Sequence, residues 1–201
     1  TYTQTIEALS TDKVRNNLII EDVKTVIAEG RTPIILTNLT SHVRILTELL
    51  QPHAMHVVSL VGADSAKEKN MAMEKLDKIA DSDSLVIIAT GKYIGEGFDY
   101  PRLDTLFLAL PISWKGNIAQ YAGRLHRDYD GKNEVRIYDY VDIRVPLCDS
   151  MYRKRLRGYA SVGYGVPKPT GGNNVSKQEL IYDGQTFSEP FRQDLLAAKH
   201  S

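Results

Sequence analysis

The feature that most constrains this chain is a series of short, continuous apolar runs separated by helical patterns. Such runs are Pro33–Leu36, Leu85–Ala89 and Thr105–Leu110, and Met55–Leu60 and Val135–Val141 are further strand segments with polar residues among the apolar ones. Leu85–Ala89 is apolar at every position, so a strand built from it must be covered on both faces. Between the runs, Ser41–Leu50, Ala66–Ile79 and Ile118–Leu125 carry apolar residues at helical spacing. Doubly covered strands alternating with helices predict an α/β fold: a parallel sheet with helices on both faces. In such sheets a ligand site lies beyond the carboxyl ends of the strands. That rule selects Thr37–Thr40, Thr90–Pro101 and Pro111–Asn117.

Residues 1–30 read as a helical lead-in. Its main helix spans Thr11–Glu29, with Val14, Leu18, Val23, Val26 and Ile27 on the buried face. Thr11 and Asp12 supply start signals and Gly30 a stop. Residues 31–162 form the α/β domain and end in a basic helix, Cys148–Tyr159. Glycine and proline mark 163–175 as a linker. Residues 176–201 open a further unit, with a strand at Leu180–Tyr182 and a helix from Pro190. That unit has too few apolar residues to close a core alone. The chain starts at Thr1 without Met and stops in mid-pattern, so it is expected to be a piece of something longer.

Lys and Arg number 25 and Asp and Glu 25, so no global field attracts a polyanion, and any nucleic-acid site must be a local patch. The single cysteine, Cys148, excludes an internal disulfide framework and a cysteine zinc cluster. It reads as a small buried hydrophobe. A reducing, cytoplasmic setting follows. No apolar run is long enough to span a bilayer, and no membrane partner is expected. His53 and His56 lack the context of a metal pair, and no metal site is assigned. His126 reads equally as a packing or a phosphate-facing group. Trp114 and Lys115 suit packing against the neighbouring helix, or base stacking. Arg153–Arg157 is either a solvated helix face or a rail for nucleic acid.

Three constellations carry chemistry. Gln120, Arg124 and Arg127 fall at i, i+4 and i+7, one face of a helix. Two guanidiniums beside a sheet's carboxyl edge suit a phosphate, which accepts two charge-assisted bonds from each fork. The alternative is an exposed basic helix paired with Asp128 and Asp130. Ala89–Asp99 follows the most apolar strand and holds Thr90, Gly91, Gly95 and Gly97, a turn rich in free N–H groups. Asp99 could accept from a ribose hydroxyl, or simply cap a turn. In Thr37–Ser41 the hydroxyls could meet a phosphate. An N-cap at Ser41 is the favoured reading there.

Together these segments resemble the C-terminal RecA-like domain of superfamily 2 helicases. Gln120–Arg127 matches that family's QxxGRxxR motif at every fixed position, and Thr90–Asp99 matches the motif that precedes it. Pro33–Ser41 looks like an earlier motif of the same series. Gly62, ahead of Lys67–Lys69, looks like the turn that follows it, although the usual Arg is a Lys here. The resemblance covers about residues 15–145. The wording of Gly95–Asp99 and Gln120–Arg124 is closer to the restriction and DNA-repair branch than to DEAD-box RNA helicases, which favours DNA over RNA.

The resemblance implies an ATP-driven helicase or translocase of two domains, with a preceding RecA-like domain in cis. ATP and Mg2+ would be held mainly by that domain, because neither a GxxxxGK[ST] loop nor a DExx sequence occurs here. This chain alone is expected to bind ATP poorly and not to hydrolyse it. Arg127 would be the arginine finger, Arg124 would lie on the γ-phosphate or a coupling carboxylate, and Gln120 would sense the phosphate or its attacking water. Glu96, Gly97 and Asp99 would form the ATP-binding group, Gly97 and Asp99 contacting the ribose or the domain-closing carboxylates. Thr37, Gly62, Thr90 and Gly91 would grip the nucleic-acid backbone. A nuclease or restriction partner fits that branch, and Ile181–Lys199 looks like the opening of a phospholipase D-like domain without its HxKxxxxD motif. Two other readings stand beside this one: a free-standing doubly wound nucleotide-binding module without ATPase activity, and a nuclease-associated scaffold with vestigial motor residues.

Overall fold

The computed structural model describes residues 1–62, 65–95, 97–112, 117–142, 144–161, 163–164 and 176–182. Two helices come first, α1 (Tyr2–Thr11) and α2 (Lys13–Ala28). The Asp12 carboxylate accepts from the Arg15 amide at 3.0 Å and caps α2, and Gly30 ends the lead-in at φ 78°. Then follow β1 (Pro33–Thr37), α3 (Thr40–Leu50), β2 (His56–Leu60), α4 (Ala66–Asp77) and β3 (Leu85–Thr90). Next come α5 (Gly91–Gly95), β4 (Thr105–Leu108), α6 (Asn117–Leu125), β5 (Val135–Val141) and α7 (Pro146–Ser161). A last strand, β6, spans Ser176–Tyr182.

The strand order is β2-β3-β1-β4-β5-β6. The first five are parallel, and β6 pairs antiparallel with β5. β1 and β3 are buried at every residue, as their continuous apolar runs require. One face of the sheet presents Ile35, Val86, Ile88 and Phe107 to Ile19, Val23, Val43 and Leu46 of α2 and α3. The opposite face presents Ile34, Leu36, Ile87, Leu106 and Ile137 to α4–α7, which contribute Leu76, Ile94, Ala122, Leu125 and Tyr159. This is the α/β fold with a parallel sheet and helices on both sides. The central places of β3, β1 and β4 gather their carboxyl-end loops at one edge.

The structure departs from the sequence pattern in several details. Val14, placed on the buried face of α2, is 78% exposed, while its neighbour Arg15 is wholly buried. The helix turns that way because Arg15 Nε meets Asp142 Oδ2 at 3.2 Å, and Arg15 also donates to the Ala109 and Tyr140 carbonyls. Ser41 is not the cap of α3. Leu39 holds that position without a side-chain bond, and Ser41 lies exposed in the first turn. The basic run on α7 is divided. Arg153, Lys154 and Arg157 are exposed, and Arg155 is buried. Cys148 is buried and free. Among the described residues no helix is long and apolar enough to cross a membrane.

Arg155 makes the tightest buried ion pair of the domain. Its Nε and Nη2 lie 2.7 and 2.8 Å from the two oxygens of Asp139, and its Nη1 donates to the Ile112 carbonyl at 2.9 Å. The Tyr159 hydroxyl donates to the same carboxylate at 2.7 Å. Both side chains of the pair are 1% exposed. Removing one partner strands the other charge in a medium that cannot solvate it. Asp139→Ala is therefore expected to lower the unfolding free energy by about 3–5 kcal/mol, read by urea titration. Replacing both partners with apolar residues of similar volume should restore most of the loss.

Candidate functional site

The site grows from the bend that links α5 to β4. α5 is a single short helix set on the end of β3, and after it the chain turns through Gly97, whose φ of 99° is open to glycine at no steric cost. Phe98 anchors the bend by packing edge-on against Tyr93, ring centroids 5.9 Å apart. That leaves Asp99 at the surface.

Helix α6 approaches this bend from the side. Arg124 donates through one guanidinium nitrogen to the carbonyls of Ile94 and Phe98, so its charge is engaged by the bend's backbone. The helix ends at Leu125, and Arg127 lies in the turn beyond it, its amide reaching the Arg124 carbonyl at 3.4 Å. The expected single helical face of Gln120, Arg124 and Arg127 is thus interrupted at its last member. Arg127 nonetheless turns to the bend, with Nε 3.4 Å from Asp99 Oδ2 and side chains 63% and 43% exposed. A contact so open to water contributes little to stability, so Arg127 is available to a stronger anion. Gln120 is exposed on the same helix, and Glu96 lies outside the described residues. A cavity of about 260 Å3 is lined by Tyr93, Gly97, Phe98 and Asp99 together with Lys69 and Asn70 of α4.

A second group gathers at the ends of β2 and β3. The Gly62 amide donates to Thr90 Oγ1 at 2.9 Å. A Cβ on Gly62 would stand 2.8 Å from Lys92 Cβ, so only glycine admits this approach. The Tyr121 hydroxyl of α6 donates to the Gly91 carbonyl at 2.8 Å. Gly62, Thr90 and Gly91 therefore form one cluster, as the sequence suggested, but its polar groups largely face each other. The exposed member is Lys92. Sequence reasoning passed over Lys92 and Tyr121, although both stand inside the motifs it used.

Thr37 departs further from expectation. Its side chain is wholly buried, and Oγ1 lies 2.9 Å from His42 Nδ1, not at a surface open to phosphate. His42 Nε2 lies 2.9 Å from Asn16 Oδ1, and Asn16 Nδ2 donates to the Ser10 carbonyl at 2.9 Å. Because the Asn16 oxygen accepts, His42 carries its proton on Nε2 and takes the Thr37 hydroxyl's hydrogen at Nδ1. The surface over this network is Asn38, which donates to the Tyr2 hydroxyl at 3.3 Å and the Pro111 carbonyl at 3.4 Å. A buried histidine among Val43, Leu46 and Leu50 carries no signal in sequence beyond its apolar neighbours. Trp114 and Lys115 lie outside the described residues. His126 is half-buried against the Tyr164 hydroxyl at 2.9 Å, and His56 pairs with Asp83 at 2.9 Å. Among the described residues no three His, Cys, Asp or Glu side chains gather to hold a metal ion.

The strand order and the helices on both faces define the class: a parallel α/β domain with the RecA-like fold. The fold overlays that of the T4 protein UvsW with a TM-score of 0.53 at 17% identity, over 63% of this chain and 25% of that one. In sequence it is 24% identical over 152 residues to transcript termination protein A18 of fowlpox virus, covering 75% of this chain and 32% of that protein. It is 33% identical over 118 residues to "Putative helicase 161L" of invertebrate iridescent virus 6, covering 59% and 22%. It is 35% identical over 88 residues to the uncharacterized protein 108L of invertebrate iridescent virus 3, covering 44% of this chain and 80% of that protein, and the two belong to one family. The chain spans about a third or less of the A18 and 161L relatives. No protein-family model matches it. Nothing in these likenesses supports the phospholipase D-like reading of the tail, and residues 183–201 lie outside those described.

The buried His42 network has a pH signature. Burial, aided by Arg15, lowers the His42 pKa from 6.5 to about 4. The unfolded chain takes up a proton below its own pKa that the folded chain refuses. Stability from this group is complete above pH 6.5 and is lost as pH falls toward 4, by up to about 3 kcal/mol. Asp104 and Asp142, whose carboxyls burial pushes up, act in the opposite sense. The expected result is therefore a difference: urea unfolding of His42→Gln loses less stability across this window than the wild type does.

Proposed function

We propose that this chain is the second motor domain of an ATP-dependent nucleic-acid helicase or translocase, with DNA as its track, and that Arg127 is its arginine finger. The observation that carries this reading is the convergence of Arg124 and Arg127 on the bend at 94–99, the first bound to its backbone and the second resting on the exposed Asp99. The two arginines divide the labour. Arg124 holds the bend in shape, and Arg127 is free to leave Asp99 for a phosphate presented by a preceding domain.

Transfer of the γ-phosphoryl group to water spreads negative charge over its equatorial oxygens, and a guanidinium placed there contributes roughly 10³–10⁵ in rate. Gln120, exposed on α6, would touch the phosphate or orient the attacking water. With Arg127 withdrawn, the Asp99 carboxylate would accept from a ribose hydroxyl, with Gly97 two residues before it. The preceding domain would supply the phosphate-binding loop and the carboxylates for Mg2+, because this sequence holds neither a GxxxxGK[ST] loop nor a DExx sequence. Mg2+ supplies charge neutralisation of the phosphates when bound.

The nucleic-acid backbone would lie along the edge where Gly62, Thr90 and Gly91 meet. Lys92 is its exposed donor there, and Thr37, the register partner of Thr90, is buried against His42. Backbone contacts of this kind grip without reading sequence. Closure on ATP and reopening after hydrolysis would shift this grip relative to the partner domain. The preference for DNA rests on the wording of the two arginine-bearing and glycine-bearing motifs.

The test uses the full-length protein. Arg127→Ala is expected to lower nucleic-acid-stimulated ATP turnover by about 10³-fold or more while nucleic-acid binding without ATP persists. Turnover equal to wild type would reject the finger assignment. Tight nucleotide binding by the present chain alone, without hydrolysis, would favour a free-standing module instead.

A further inference from the structure

Lys132 belongs to none of the motifs, yet it makes the most convergent polar contact near the site. Its Nζ lies 2.7 Å from each of three carbonyl oxygens, those of Pro101, Leu125 and Arg127. An ammonium has three donors and no acceptor, so these three bonds use all of them. The Leu125 carbonyl ends α6 and that of Arg127 follows two residues later, where a helix leaves its last C=O groups unpaired and its dipole negative. The Pro101 carbonyl is two residues past Asp99. One cation therefore ties the backbone under Arg127 to the bend that carries Asp99.

The neighbouring His126 is tied to the Tyr164 hydroxyl at 2.9 Å, but few contacts reach Arg127 itself. The helix proper is anchored by buried Ala122 and Leu125 and by the Arg124 contacts. Past Leu125, Arg127 is held by a long 3.4 Å backbone bond to Arg124 and by the exposed pair with Asp99. Lys132 is brought back to this point by a turn in which its own amide donates to the Tyr129 carbonyl at 3.1 Å. It is half-buried, and the carboxylates of Asp104, Asp128 and Asp99 oppose the effect of that burial on its charge.

We propose that Lys132 is the positioning residue of the arginine finger: by clamping the carbonyls of Leu125, Arg127 and Pro101 it sets where the Arg127 guanidinium can reach. The inference rests on Arg127 being the finger. A displacement of the order of 1 Å at a reacting group costs about 10²-fold in rate.

The experiment compares Lys132→Met, Arg127→Ala and the double variant in the full-length protein, with ATP turnover and nucleic-acid affinity both measured. Lys132→Met is expected to lower kcat by about 10²-fold, with KM for ATP and nucleic-acid affinity near wild type. In the Arg127→Ala background it should cause no further loss. Lys132→Arg keeps the charge at the helix end and serves if Lys132→Met does not fold. Its planar fork cannot meet three converging carbonyls, so it should lose about ten-fold in kcat, again only when Arg127 is present. Near-normal kcat in the Lys132 variants, with Arg127→Ala inactive, overturns the positioning role and leaves the finger. Normal kcat in Arg127→Ala overturns both. Equal losses with and without Arg127, or weakened nucleic-acid binding, mark Lys132 as a structural residue only and also overturn the proposal.

Discussion

The guanidinium of Arg124 is the contact on which the site depends. It reaches from α6 to two carbonyls four residues apart in the bend, Ile94 and Phe98. Carbonyls turned inward at a glycine-bearing bend need donors, and a charged donor bonds them about twice as strongly as a neutral one. By joining them, Arg124 gives the bend a fixed shape and α6 a fixed position at the same time. Asp99 follows Phe98 directly and Arg127 lies three residues beyond Arg124. The meeting of those two side chains is a consequence of the Arg124 contact more than of their own weak, water-exposed attraction.

Buried charge plays the same joining role deeper in the domain. Asp139 and Asp142 stand at and just beyond the carboxyl end of β5, and each meets a guanidinium from a different helix. Arg155 comes from α7 on one face of the sheet, and Arg15 from α2 on the other. Such pairs are poor sources of net stability compared with apolar packing, because both ions lose their water. They are demanding in geometry, however. Each fixes one helix in one rotation, as the exposed Val14 and buried Arg15 illustrate on α2. The carboxyl edge of the sheet is thus set by directional polar contacts laid over a core of aliphatic residues.

That division explains what could be read in the chain and what could not. The parallel sheet was legible because Leu85–Ala89 and Pro33–Leu36 are apolar on both faces, and only a doubly covered strand tolerates that. The meeting of 90–99 with 120–127 was legible because glycines at a strand end and spaced arginines both call for the same kind of ligand. The rotation of α2 was not legible. Its deciding contact joins Arg15 to Asp142, 127 residues away, and local periodicity is blind to it. The burial of Thr37 depends in the same way on His42 and Asn16 from two helices. The role of Lys132 is invisible in sequence because its partners are backbone carbonyls, which every residue has.

The short helix α5 shows how the two ends of the edge are joined mechanically. At its first residue the Gly91 carbonyl takes the Tyr121 hydroxyl, and near its last the Ile94 carbonyl takes Arg124. Both donors come from α6, so α5 and α6 are pinned to each other at two points about one helical turn apart, which fixes their relative rotation as well as their distance. Thr90 and Gly62 lie against the start of α5, while Asp99 and Arg127 lie beyond its end. A pull on Arg127 by a phosphate, as proposed above, would act on a body that includes the Gly62–Thr90 contact, where a Cβ on Gly62 would meet Lys92 Cβ at 2.8 Å. In the proposed motor, such stiffness would convert a small change at a nucleotide into a change of grip at the neighbouring edge.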